Sequence, residues 1–155
     1  MKRWLSLCFS LGASLLLSGQ IALANLPPRT VVIGSDIAET LAELNALEGG
    51  VGRDDTSQFR DAVAALPSVG YLRHLAAEGI FSLAPERLIV SAAAGPREVL
   101  AQLETVGVEV IRIEQGASLE TLPAKIRTIA KASGHETSGA ALVASIEADL
   151  ARLET

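Results

Sequence analysis

An α/β fold built on a mostly parallel sheet is the class this sequence predicts, and three observations predict it. Short runs rich in Val and Ile alternate along the chain with amphipathic stretches of ten or so residues, the rhythm of strand–helix–strand units. The strand-like runs include the β-branched "VVI" of "TVVIGS" and the apolar "LIV" of "RLIVSAAAG", the latter reading as a buried strand. A chain of 155 residues with 49% hydrophobic and 20% charged content is long enough for one domain with a real core.

Taken in order, the first unit is "TVVIGS" at 30–35, a β-branched run ending in Gly-Ser. The stretch "DIAETLAELNALEGG" follows it, with Asp36 as the predicted N-cap, Glu39 three residues on, apolar residues at 37, 41, 44 and 47, and a glycine stop. "VGRDDTS" supplies a second short strand, and "QFRDAVAALPSVGY" a loop with one helical turn ending at Pro67. "AAEGIFSLAPE" reads as a short helix closed by Pro85, "RLIVSAAAG" as a buried strand, and "PREVLAQLETVG" as a helix opened near Pro96 and stopped by Gly107. "VEVIRIE" is a further strand. "SLETLPAKIRTIAKASG" is a helical segment that Pro123 is expected to interrupt or kink.

The last stretch differs from the rest. From Ala140 it carries Leu142, Val143, Ile146, Leu150 and Leu153 with Glu147, Asp149, Arg152 and Glu154 between them, and it has no Gly, Asn or Pro stop. About 16 residues of helix span roughly 24 Å, the length of a rod joining two lobes rather than of a cap on one.

The first stretch is not part of the fold. "MKRWLSLCFSLGASLLLSGQIALANLPP" opens on Lys2 and Arg3, runs apolar from Trp4 to about Ser18, and ends on "ALA" before Asn25. That is the three-part pattern of a secretory signal peptide, residues 1–24, cleaved after Ala24, which places the rest of the chain in the periplasm. The apolar run is shorter than the roughly 20 residues a membrane-spanning helix prefers. Cleavage removes the chain's single Cys and single Trp, so no disulfide holds the exported domain. Removing Lys2 and Arg3 from 13 basic and 18 acidic residues takes the formal charge from −5 to −7. That balance argues against nucleic acid or an anionic membrane surface as a partner.

Chemistry is concentrated in "VGYLRHLAAEG" at 69–79, which holds the only tyrosine of the chain beside Arg73 and His74. Pro67 and Gly70 before it suggest a fixed, exposed turn, and loops at strand ends are where open α/β sheets bind ligands. Were the segment extended, Tyr71 and Arg73 would point to the same face. A guanidinium beside a phenol favours the phenolate, an anionic oxygen donor suited to ferric iron, and tyrosine is one of the axial ligands haem accepts. His74 is placed to bond a haem propionate or the ring edge. His135, in the polar "SGHETSG" connection, reads as solvated. Elsewhere "GGVG" at 49–52 lacks the spacing of a dinucleotide fingerprint, Ser35 has no histidine placed to activate it, and Asp54 with Asp55 reads as a loop rather than a metal site. No catalytic constellation is evident, so the chain is not read as an enzyme.

From about Arg29 to the end of the chain, "RTVVIGSDIAETLAELNALEGGVGRDDTSQF" and the later stretch through "VGVEVIRI" resemble the periplasmic haem (hemin)-binding proteins of bacterial ABC haem importers. These are relatives of the vitamin B12 and ferric-siderophore binding proteins. The distinctive part, "VGYLRHLAAEGIFSLAPE", is similar to that family's Gly-Tyr-x-Arg-x-Leu-(Ser/Ala)-Ala-Glu-Gly segment, with "GRDDTS" and the "GP" that opens a helix after a strand in support. The resemblance implies two α/β lobes joined by one long helix, with the ligand between them. Residues 25–137 would be the N-terminal, Rossmann-like lobe and residues 138–155 the start of the interlobe helix. It also implies Tyr71 as axial iron ligand, Arg73 as its support, and Glu78 as an acid that docks on the membrane permease. Family members are longer; the second lobe, with its own docking acid, has no counterpart here, so a fragment or a truncated gene is expected, with weakened haem affinity and self-association through the uncovered last helix. Two other readings stand beside haem: a binder of cobalamin or a ferric siderophore, which needs no tyrosine ligand, and an exported α/β enzyme or partner-binding module.

Overall fold

The computed structural model describes residues 26–114, 116 and 118–153. The predicted signal peptide, residues 1–24, lies outside the described residues. The elements run β1 (Thr30–Ile33), α1 (Ser35–Glu43), β2 (Gly50–Arg53), α2 (Asp61–Ala64), α3 (Ala77–Phe81), β3 (Arg87–Ser91), α4 (Arg97–Thr105), β4 (Glu109–Ile113), α5 (Leu122–Ser133) and α6 (Glu136–Leu153). The four strands form one sheet in the order β2-β1-β3-β4, and every pairing is parallel. The predicted α/β class is therefore the observed one.

Strand composition explains the layering. In β1, Val31 and Ile33 face one side with Leu88 and Val90 of β3 and join Val69, Leu75, Ile80, Leu100 and Leu103, the apolar stripe of α3, α4 and the segment before them. Val32 faces the other side with Ile89 of β3 and Ile113 of β4, against Ile37, Leu41, Val63 and Ile129 from α1, α2 and α5. Both central strands are thus buried on both faces, the reason their sequences carry no polar alternation. Each such aliphatic side chain contributes roughly 1.5–3 kcal/mol through burial.

Three predicted details change. Asp36 is not an N-cap: α1 starts at Ser35 with Gly34 as cap residue, so Asp36 already lies in the first helical turn, where its carboxylate pairs with Lys125 of α5. Gly34 holds φ 122, and a Cβ there would sit 3.2 Å from that of Ser91, so the turn from β1 into α1 needs glycine. Second, α1 ends at Glu43, before the predicted glycine stop. Asn45 takes the left-handed conformation (φ 55), its N–H bonds Ala42 O at 3.1 Å, and the Ala46 N–H bonds Leu41 O at 2.8 Å, a Schellman closure for which asparagine suffices. Third, Pro123 neither kinks nor interrupts α5; it occupies the first turn, where its missing N–H has no intrahelical partner to lose.

The last helix, α6, begins at Glu136, four residues before the predicted start. It packs antiparallel-fashion against α5 through Val143 and Gly139, both buried. A Cβ on Gly139 would lie 2.4 Å from the Cβ of Ala130, so the two helices touch where only hydrogen fits. Leu142, Ile146 and Leu150 are half-buried and Leu153 is 83% exposed. Among the described residues no helix is long and apolar enough to cross a membrane.

Candidate functional site

Residues 67–70 run parallel to the end of β2. The Arg53 N–H bonds Pro67 O at 2.9 Å, the Val69 N–H bonds Arg53 O at 2.8 Å, and the Asp55 N–H bonds Gly70 O at 2.9 Å. The chain then turns: the His74 N–H bonds the Tyr71 carbonyl at 2.8 Å, closing a β-turn over residues 71–74. Two further bonds clip this turn to the loop after β3, Gly95 N–H to Leu72 O at 2.9 Å and Leu75 N–H to Gly95 O at 3.0 Å. Val69 and Leu75 are buried in the core, and Leu72 packs against it. The spacing 69, 72, 75 points inward, which leaves Tyr71, Arg73 and His74 outward and exposed. All of this sits at the carboxyl ends of the parallel strands, where open α/β sheets present ligands.

The turn corrects one expectation. Because residues 71–74 are not extended, alternation does not place Arg73 beside Tyr71; a β-turn brings its first and fourth residues together instead. The rings that meet are those of Tyr71 and His74, with centroids 5.9 Å apart and planes tilted by 33°. Arg73, one residue earlier, makes no hydrogen bond or ion pair among the described residues. Tyr71 itself is 43% exposed. Glu78 lies in the first turn of α3, exposed, as expected.

His135 is not fully solvated: it is half-buried between α5 and α6, and its Nδ1 lies 2.8 Å from the Ser133 carbonyl. It stands at the amino ends of the strands, beside a cavity of about 60 Å³ shared with Pro27, Thr30, Gly50 and Arg87. That volume has room for a few waters. A larger hollow of about 240 Å³ lies beside β4 and α5, lined by Arg112, Thr121, Lys125 and Thr128. Neither is lined by residues of the Tyr71 turn.

Sequence reasoning missed the carboxylates that hold this surface in place. Asp54 is fully buried, and its Oδ1 accepts from the Gly34 N–H at 2.9 Å and the Ser57 hydroxyl at 2.5 Å. Its Oδ2 accepts from the N–H and hydroxyl of Thr56 at 3.0 and 2.5 Å. One residue on, Asp55 accepts from the Ser68 hydroxyl at 2.5 Å, and Ser68 Oγ in turn accepts from the Gly70 N–H at 3.1 Å. The only local signal was the Asp-Thr-Ser spacing, which favours side-chain-to-backbone turns. Among the described residues no group of three acidic, histidine or cysteine side chains is placed to hold a metal.

Residues 31–155 match the profile of the family described as Periplasmic binding protein. The chain belongs to that family. It is a family of binding proteins, not of enzymes. Solved structures similar to the chain include the periplasmic haem-binding protein BhuT in complex with two haems, at 39% identity and a TM-score of 0.75 over 79% of this chain and 47% of that one. RhuT from Roseiflexus sp. RS-1, in apo form, is 38% identical with a TM-score of 0.76 over 81% and 48%. A periplasmic haem-binding protein from Pseudomonas aeruginosa is 37% identical with a TM-score of 0.76 over 82% and 46%. This chain therefore spans about half the length of the structures it matches. No curated protein matches it.

Proposed function

We propose that this protein captures ferric haem in the periplasm, after export on a cleaved signal peptide, and delivers it to an ATP-driven permease of the inner membrane. The observation that carries the reading is Tyr71: one tyrosine, half-exposed, on a turn fixed by hydrogen bonds to two neighbouring loops at the carboxyl end of a parallel sheet. Three solved haem-binding relatives support the choice of cargo.

Ferric iron would take the Tyr71 phenolate as axial ligand. The Arg73 side chain, free of other partners among the described residues, is available to neutralise that phenolate or a propionate. His74, its ring 5.9 Å from that of Tyr71, would bond a propionate or the edge of the porphyrin. No bond of the cargo is made or broken beyond coordination, so the protein binds and releases. Glu78, exposed at the head of α3, serves as an acidic contact for the permease. With Tyr71, Arg73 and His74 exposed on one surface, this lobe would cover one face of a haem and leave the other to a second wall.

The test is a ferric-haem titration followed by visible absorbance, with Tyr71→Ala and His74→Ala in parallel. A tyrosinate-type high-spin spectrum lost in Tyr71→Ala alone is the expected result. A carrier of cobalamin or of a ferric siderophore would show no haem spectrum and would keep its affinity for that cargo in Tyr71→Phe.

A further inference from the structure

We propose that Arg97 binds a propionate of the haem whose iron Tyr71 holds, and so sets how the cargo is turned in its site; this rests on the haem reading above. The backbone supplies the geometry. Gly95 makes the two hydrogen bonds that clip the Tyr71 turn to the loop after β3, its N–H to Leu72 O at 2.9 Å and its carbonyl from the Leu75 N–H at 3.0 Å. Arg97 opens α4 two residues later, at most about 7 Å farther along the chain. Its side chain is exposed, as are those of Tyr71 and Arg73. Two guanidiniums therefore stand on the two segments that this clip joins, at the end of the sheet that carries Tyr71.

The fold uses neither of them. Among the described residues Arg73 and Arg97 make no hydrogen bond or ion pair, whereas every other arginine does, Arg60 with Glu43, Arg87 with Glu109 and Arg112 with Glu104 among them. Carboxylates are not scarce in a chain of 18 acidic and 13 basic residues. Glu98 adjoins Arg97, but successive residues of a helix do not face each other. Glu78, exposed at the head of α3, is paired to neither arginine, and Asp55 is engaged by the Ser68 hydroxyl. The placement is one that α4 itself disfavours, because the amino end of a helix carries partial positive charge. A bound carboxylate relieves that repulsion and gives the guanidinium its missing partner.

Haem carries such carboxylates in the right relation to its iron. The iron lies at the centre of the porphyrin and the two propionates on its rim, so the axial ligand and a propionate ligand must come from separate points on the protein. Arg73 belongs to the same turn as Tyr71; Arg97 stands across the clip from it, displaced as a contact to the rim requires. A guanidinium holds a carboxylate through two parallel N–H···O bonds, which fixes direction as well as distance. With the iron–oxygen bond alone, haem is free to turn about it. Arg97 is thus a positioning and selecting residue, favouring a porphyrin with charged side chains over one without.

The experiment titrates ferric haem and its dimethyl ester, in which neither propionate is charged, into the wild type, Arg97→Gln, Arg97→Lys and Tyr71→Phe, followed by visible absorbance. Arg97→Gln is expected to lose roughly three- to tenfold in haem affinity, between an exposed and a well-formed charge pair, while it binds the ester as the wild type does and keeps the tyrosinate spectrum. Arg97→Lys, which keeps the charge without the fork, is expected to fall between the two. Haem affinity in Arg97→Gln equal to wild type, or an equal loss for haem and ester, each with the tyrosinate spectrum intact, overturns the role of Arg97 and leaves the haem reading standing. A wild-type spectrum unchanged in Tyr71→Phe overturns both.

Discussion

Tyr71 carries its phenol on a turn whose backbone is committed to β2 on one side and to the loop after β3 on the other. That division of labour means the hydroxyl itself holds nothing together, so Tyr71→Phe should leave stability within about 0.5 kcal/mol of wild type in urea unfolding, as for exposed substitutions generally. Asp54 is the opposite case. Asp54→Ala strands the Gly34 N–H and the donors of Thr56 and Ser57, at a cost of about 3 kcal/mol, readable as a lower urea midpoint. A cost under about 0.5 kcal/mol would show that the network is dispensable. The tyrosine was legible in the sequence because it is the chain's only one and sits in a polar cluster. The buried aspartate was not, because the backbone N–H that demands it lies 20 residues earlier, in the turn after another strand.

Helices and strands were mostly legible, since each carries its own period, but their ends were decided by local chemistry that patterns do not weigh. Asn45 stops α1 ahead of the glycines, and Pro123 begins α5 instead of breaking it. The same limit applies to the 71–74 turn, where the inward triad of Val69, Leu72 and Leu75 was a better guide than the extended reading. Close packing at α5 and α6 gives a prediction at this scale. Gly139→Leu places side-chain atoms where Ala130 already stands, and should cost about 3 kcal/mol. Ala130→Gly in the same chain should return part of that loss, since it removes the opposing methyl; thermal unfolding of the double variant checks it, and no recovery would refute the contact as the cause.

Strand order, β2-β1-β3-β4, is a property of the whole molecule that no local period encodes, though it is this order that brings the β2 edge and the loop after β3 together around Tyr71. The distal half of α6 belongs to the same scale. With Leu142, Ile146 and Leu150 only half-buried and Leu153 83% exposed, the protein should self-associate at micromolar concentration, and Leu153→Glu should shift it toward monomer in sedimentation velocity. A clean monomer in the wild type would contradict that expectation. The central claim is narrower: a tyrosinate at position 71 holds the iron. Resonance Raman spectroscopy of the ferric haem complex tests it most directly, by comparing the wild type with Tyr71→Phe. Phenolate modes enhanced in the wild type and absent from the variant are expected. An imidazole-ligated spectrum that survives in Tyr71→Phe and disappears in His74→Ala would contradict it.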